Sequence, residues 1–258
     1  MQVNPKRPIF PSIGKGGFNF SNVWKPDRVR GMKRVLSILL LTASVYAEDL
    51  PSAPQILAAA RAQLPPHPVV MTGVLKQWAA NGFMKKAMDV EMTLDWSASP
   101  PQAEYRISDP KKDFSQTLKI IWNDGNAEFS FSQNGEKKAF NSHNQIQNSG
   151  ISWDDLSFSF LWNEDARTIG TDKKLGKECF LISVPRPAEH ELLLWVEKET
   201  GRMLGAEEHD ADGNRIKIIK VVSVKKFDEL WMVKDLDIIQ PGQDERTSLR
   251  VDHVEARP

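Results

Sequence analysis

The sequence predicts a mainly β protein, a strongly curved antiparallel sheet of about eleven strands wrapped around two short helical pieces. Three observations predict it. Apolar and polar residues alternate over most of residues 69–255, turns such as Asn81-Gly82 and Asn134-Gly135 interrupt the alternation at hairpin spacing, and only two segments carry a helical period. An antiparallel meander cannot leave its apolar face in water, so it must close into a barrel, pack as a sandwich or be covered by helices. With so few helical residues, a curled sheet that encloses them is the expectation.

The elements follow in order. Residues 1–31 are rich in Pro and Gly, carry six Lys/Arg against the single acid Asp27, and show no hydrophobic period. They read as a disordered upstream extension ahead of the true start at Met32, the alternative being a basic arm for nucleic acid or membrane. Met32–Ala47 reads as a signal peptide. Lys33 and Arg34 form its charged start and Val35–Leu41 its apolar middle, with Val45 and Ala47 at the minus-three and minus-one positions, so the mature chain would begin at Glu48. The apolar run is too short to span a membrane. Residues 48–258 form the single expected domain, which would be exported.

In that domain, residues 52–64 predict a helix with Ser52 as cap, Pro54 in the first turn and Pro65-Pro66 as its stop. Val69–Ala79 and Phe83–Trp96 predict a long hairpin. Its second arm places Met88, Val90, Met92, Leu94 and Trp96 on one face and Asp89, Glu91, Thr93 and Asp95 on the other. The same alternation continues through Ala103, Tyr105 and Ile107, then Leu118, Ile120 and Trp122, then Ala127, Phe129 and Phe131. Residues 141–150 predict a polar loop, and 152–162 a short helix capped by Ser152, with Asp154 and Asp155 suited to its dipole. Six further strands are expected at 178–184, 190–197, 202–209, 215–226, 230–239 and 246–255.

Charge and motifs exclude more than they assign. The chain holds 34 basic and 34 acidic residues. Without residues 1–47 the balance is 26 against 33, and an acidic domain argues against nucleic acid as partner. The lone Cys179 cannot form an intrachain disulfide, so the core must hold the fold. No nucleophile elbow, zinc-helix motif or phosphate loop is present, and the five histidines lack metal-ligand spacing. Neither a catalytic residue, a metal nor a cofactor is expected. Asp210-x-Asp212-Gly213-Asn214 fails as a calcium loop because Arg215 and Val221 stand where Gly and Glu are needed. The Glu207–Asp210 cluster reads as a solvated strand end.

The segments SWDDLSFSFLW, GTDKKLGKECFLISVPRP, LWVEKETGRMLGAEEHDADGNRIKIIKV and WMVKDLDI carry a resemblance that covers most of 68–256 and is strongest over 151–239. It is to the LolA-like family of outer-membrane lipoprotein-sorting proteins. The resemblance implies an incomplete, highly curved barrel with a helical lid over an apolar cavity, and a non-enzymatic periplasmic carrier of lipoprotein acyl chains. An inner-membrane release complex and an outer-membrane acceptor would be its partners. The Arg-Pro pair tied to lid control in the best-known branch is replaced here by Ser99-Pro100-Pro101.

The expected function is therefore binding of lipoprotein acyl chains or other lipids by a monomer. The cavity candidates are Met88, Val90, Met92, Leu94, Trp96, Tyr105, Leu118, Ile120, Phe129 and Phe131, and the lid candidates Trp153, Leu156, Phe160 and Trp162. The flexible, polarisable Met stripe suits variable apolar ligands, although ordinary core packing explains the same residues. The alternative is an interaction or sensor domain of the same architecture; a secreted hydrolase ranks third.

Overall fold

The computed structural model describes residues 50–123, 126–227, 230–243 and 245–256. The expected extension and signal peptide lie outside the described residues. Helix α1 spans Ala53–Arg61 and buries Ala53, Ile56, Leu57 and Ala60. It ends earlier than the sequence suggests, at Arg61, four residues before Pro65, with Ala62 as C-cap.

The strands are β1 (Val69–Trp78), β2 (Met84–Asp95), β3 (Gln102–Asp109), β4 (Phe114–Asn123), β5 (Asn126–Gln133) and β6 (Glu136–Lys137), then β7 (Arg167–Lys174), β8 (Lys177–Pro185), β9 (Glu191–Glu197), β10 (Met203–His209), β11 (Arg215–Phe227), β12 (Leu230–Gln240) and β13 (Glu245–Ala256). They form one open 13-stranded sheet in the order β6-β5-β4-β3-β2-β1-β13-β12-β11-β10-β9-β8-β7. The expected strand count is thus low by two. Both omissions, β6 and β7, are the sheet's edges. An edge strand has one ladder and little core contact, and the polar Arg167–Lys174 carries no two-sided alternation.

One ladder joins the first half to the last. β1 pairs β13 along its whole length, Val69 opposite Ala256 and Trp78 opposite Arg246. The register shifts between Thr72 and Gly73. A Cβ on Gly73 would sit 2.1 Å from the Arg250 carbonyl oxygen, so only glycine permits this approach. Further shifts occur at Gln77/Trp78, Glu208/His209 and within Val221–Val224. Such bulges bend a strand and increase twist, and here they help to curl the sheet.

The curl is visible in what the segment inserted between β6 and β7, residues 138–166, touches. Helix α2 (Trp153–Ser157) places Trp153 against Phe131 of β5 and Asp154 against Arg186, just after β8. Ten ladder steps separate those strands, which in a flat sheet is about 48 Å. A five-residue helix reaches both only because the sheet wraps around it.

The predicted 152–162 helix is broken. After α2, Phe158 adopts φ 52° and the chain resumes as a 3₁₀ turn over Ser159–Trp162. Ser152 accepts from the Asp155 amide at 3.1 Å, as expected of a cap.

Candidate functional site

The inner face of the sheet is largely apolar. Met88, Val90, Met92 and Leu94 of β2, Tyr105 of β3, Leu118 and Ile120 of β4 and Phe131 of β5 are all buried in the same cluster. Leu192 and Leu194 of β9, Ile219 of β11, Ile238 of β12 and Val251 of β13 extend it around the curl. Period-two alternation puts all of them inward because every second side chain shares a face.

Ile56 and Leu57 of α1, together with Ile146, Ile151, Trp153, Leu156, Phe160 and Leu161 of the insert, lie on that face and fill the space it encloses. Trp153 and Leu156 are 3% and 2% exposed, so α2 is packed into the interior. Two of the hollows among the described residues have volumes of about 510 and 270 Å³. One is bounded by Glu189, Glu191, Leu193 and His209 and the other by outward-facing residues such as Asp89, Glu91 and Arg106, both away from this face.

Two sequence candidates sit differently from the rest. Trp96 and Trp162 are half-buried and stack with Trp122, with ring centroids 4.6–5.1 Å apart. Phe129 is 39% exposed and packs on Phe140. It shares the face of Phe131, but β5 lies beside the two-residue β6, where the sheet ends and little covers it. Its assignment to a closed interior is corrected to the rim.

The insert is fastened at two chemically different ends. At the α2 end, Asp154 pairs with Arg186, and Asp155 lies 4.0 Å from Arg186 and 3.0 Å from Lys217. Lys217 also meets Glu208 at 2.8 Å, and Glu208 meets His190 at 3.2 Å. These groups are mostly out of water, Asp155 entirely. Burial lowers the Arg186 guanidinium to about 10, with Glu208 opposing the shift. Burial also works against charge on Lys217, but Asp155 and Glu208 outweigh it and raise its pKa. Glu208 is buried too, yet Lys217 and His190 hold it below the usual carboxylate range. The expectation of a solvated strand end therefore fails for Glu208, which β10 turns inward to this network. Burial and the nearby Arg186 lower His143.

At the other end, Arg61 of α1 donates to the Leu161 carbonyl and lies over the Trp162 ring, 5.6 Å from its centroid. Between the ends, Thr247 donates to the Ser149 carbonyl, Gln77 to the Asn148 carbonyl at 3.0 Å, and Tyr105 reaches the Ser157 carbonyl at 3.5 Å. Burial raises the Tyr105 phenol, so it stays a neutral donor. The insert thus touches the sheet through side chains; its one β-bridge, Gln145 to Ser152, is internal.

Sequence reasoning missed Arg186 and Lys217. Asp154 and Asp155 were legible only as helix-dipole partners, because their cations lie far along the chain. Among the described residues, no group of three His, Cys, Asp or Glu side chains is placed to hold a metal.

Known proteins share the fold at low identity. A DUF1329 family protein from Desulfovibrio piger has a TM-score of 0.65 at 11% identity, over 79% of this chain and 91% of that one. A domain described as an outer membrane lipoprotein-sorting protein, from Vibrio parahaemolyticus, has 0.62 at 12%, over 79% and 92%. A LolA superfamily protein from Nitrosomonas europaea has 0.60 at 10%, over 81% and 95%. The chain therefore has the LolA-like fold, as the sequence resemblance implies. A family model described as an uncharacterized protein matches residues 137–258. No curated protein matches.

Proposed function

We propose that the chain is a non-enzymatic periplasmic carrier that shelters acyl chains of lipoproteins or other lipids against the inner face of its sheet. The observation that supports this reading most is the construction of the cover. Trp153, Leu156, Phe160 and Leu161 fill the apolar interior from a segment that joins no ladder of the sheet. Acyl chains offer the same apolar contacts at about 0.8 kcal/mol per buried CH₂, so a chain of ordinary length can replace the lid residues. The sheet, held by its own ladders, stays intact while the lid exchanges. Met88 and Met92 suit such exchange, since unbranched side chains refill irregular space. A release complex at the inner membrane and an acceptor at the outer membrane would load and unload it.

A second reading, an interaction or sensor domain, is favoured by the filled interior itself: core residues at 0–9% exposure need no ligand to be stable. Competition separates the two. An apolar dye bound by the chain should be displaced by an acylated peptide and not by its deacylated form, with affinity rising with chain length. Equal competition by both peptides sinks the carrier reading in favour of the interaction domain.

A further inference from the structure

We infer that the β1–β2 hairpin is a docking element for an anionic lipid surface. Phe83 and Met84, at its tip, are 74% and 53% exposed. Phe83 is the most exposed of the protein's described large apolar side chains. The turn is nonetheless well built. Ala79 donates to the Phe83 carbonyl and Gly82 to the Ala79 carbonyl, both at 2.9 Å, and the Phe83 amide donates to Asn81 Oδ1 at 3.1 Å. Holding large apolar groups in water on an ordered turn gives the fold nothing, because neither side chain meets the core.

The hairpin also projects. Pairing between β2 and β3 begins at Asp89 opposite Ser108, so β2 continues back to Met84 beyond its neighbour, while β1 carries it from the other side. The antiparallel order brings the β3–β4 turn to this same end, and Lys112 there is close enough to Lys86 to lower its pKa, after the larger effect of burial. Lys85, Lys111 and Lys112 thus form an exposed collar behind the apolar tip, with Lys86 half-buried beside them and donating to Gln147 Oε1 at 3.1 Å, and with Lys76 of β1 and Arg246 of β13, opposite Trp78, at its flank.

The described carboxylates here are fewer. Glu245 pairs with Lys85, Asp109 is 3.6 Å from Lys112, Asp237 is 3.6 Å from Arg246, and Asp113 follows in the turn. A positive collar on a domain whose residues 48–258 are net acidic is complementary to anionic headgroups, and an aromatic-and-methionine tip suits the acyl boundary beneath them. The inference does not rest on the carrier reading. Vesicles probe the tip and acylated peptides the interior, so either idea can fail alone.

Co-sedimentation with vesicles tests it, using the chain in the form recovered from cells so that variants share one N-terminus. Wild type should bind vesicles of phosphatidylglycerol and phosphatidylethanolamine, lose binding as salt rises, and bind phosphatidylcholine vesicles poorly. The double variant Phe83→Ser/Met84→Ser should weaken binding by about tenfold or more, as should Lys111→Glu/Lys112→Glu. All four residues are exposed, at or beside surface turns, so thermal unfolding should be unchanged. Leu175→Ser, at an equally exposed apolar position on the β7–β8 turn at the opposite end, should have no effect. Undiminished binding by the Phe83/Met84 variant overturns the inference. So does failure of wild type to bind anionic vesicles, which would make the tip a protein contact.

Discussion

Arg186 is a buried cation whose removal should be felt more than that of any surface charge. Its side chain is 6% exposed beside Asp154 and Asp155, so Arg186→Ala leaves the buried Asp154 with the Ser159 hydroxyl and the buried Asp155 with Lys217. A loss of about 3 kcal/mol is expected in denaturant titration. Adding Asp154→Ala should cost much less than its effect in wild type, since both changes break one interaction. The network also sets a pH dependence. His143 and Glu208 have pKa values below their unfolded ones, so both contribute stability above those unfolded values and lose it as pH falls. The unfolding midpoint should begin to drop below about pH 6.5 through His143 and again near pH 4 through Glu208. His143→Gln should remove the first step alone; persistence of that step would assign it elsewhere. On the sheet, Met92 is 4% exposed and Glu91 points to solvent, so Met92→Asp should cost about 3 kcal/mol or more and Glu91→Lys almost nothing. Equal tolerance of the two would mean that β2 faces the other way.

At the scale of elements, alternation made the long strands legible, because burial of one face imposes period two wherever a strand lies between neighbours and beneath a cover. β2 through β5 show this, down to the inward placing of Tyr105 and Phe131. Where either condition lapses, the signal goes. β7 lies at an edge and reads as loop, while Phe129 keeps its face but not its cover. The insert's helix was legible as apolar residues after a Ser cap, but its break was not. Phe158 takes a left-handed conformation that its side chain disfavours, held by tertiary contacts no local pattern encodes. Most of the candidate site was therefore readable, and its fastenings were not: Arg186 sits between two prolines with no periodic neighbour, 32 residues from Asp154. The break divides the insert into a charged end and an aromatic end, and they should open separately. Trp162→Ala deletes the stack with Trp96 and Trp122 and the Arg61 contact. Amide exchange should then accelerate over 159–163 while 153–156 stays protected. Uniform acceleration would show a lid that moves as one body.

For the whole molecule, the carrier reading makes lid closure and ligand binding competitors for one surface. The closed form occupies the inner face with its own Trp153, Leu156, Phe160 and Leu161, so apparent affinity for an acyl chain equals intrinsic affinity reduced by the fraction of molecules that are open. A substitution that weakens closure without touching the sheet must then tighten binding. Trp162→Ala is suited to the test, because Trp162 is half-buried at the edge of the cover and belongs to the lid. Weakening closure by about 1 kcal/mol should raise acyl-peptide affinity about fivefold, even though the free protein becomes less stable. The opposite sign of the two effects is the diagnostic, since a merely damaged fold loses stability and affinity together. An interaction domain with a permanent lid predicts no gain, and so does a binding surface outside the curl. Dye displacement by acylated peptide, measured alongside thermal unfolding on the same variant, reads both quantities. Unchanged or weaker binding by Trp162→Ala, with the sheet still folded, would show that the interior is a core and the lid is part of it.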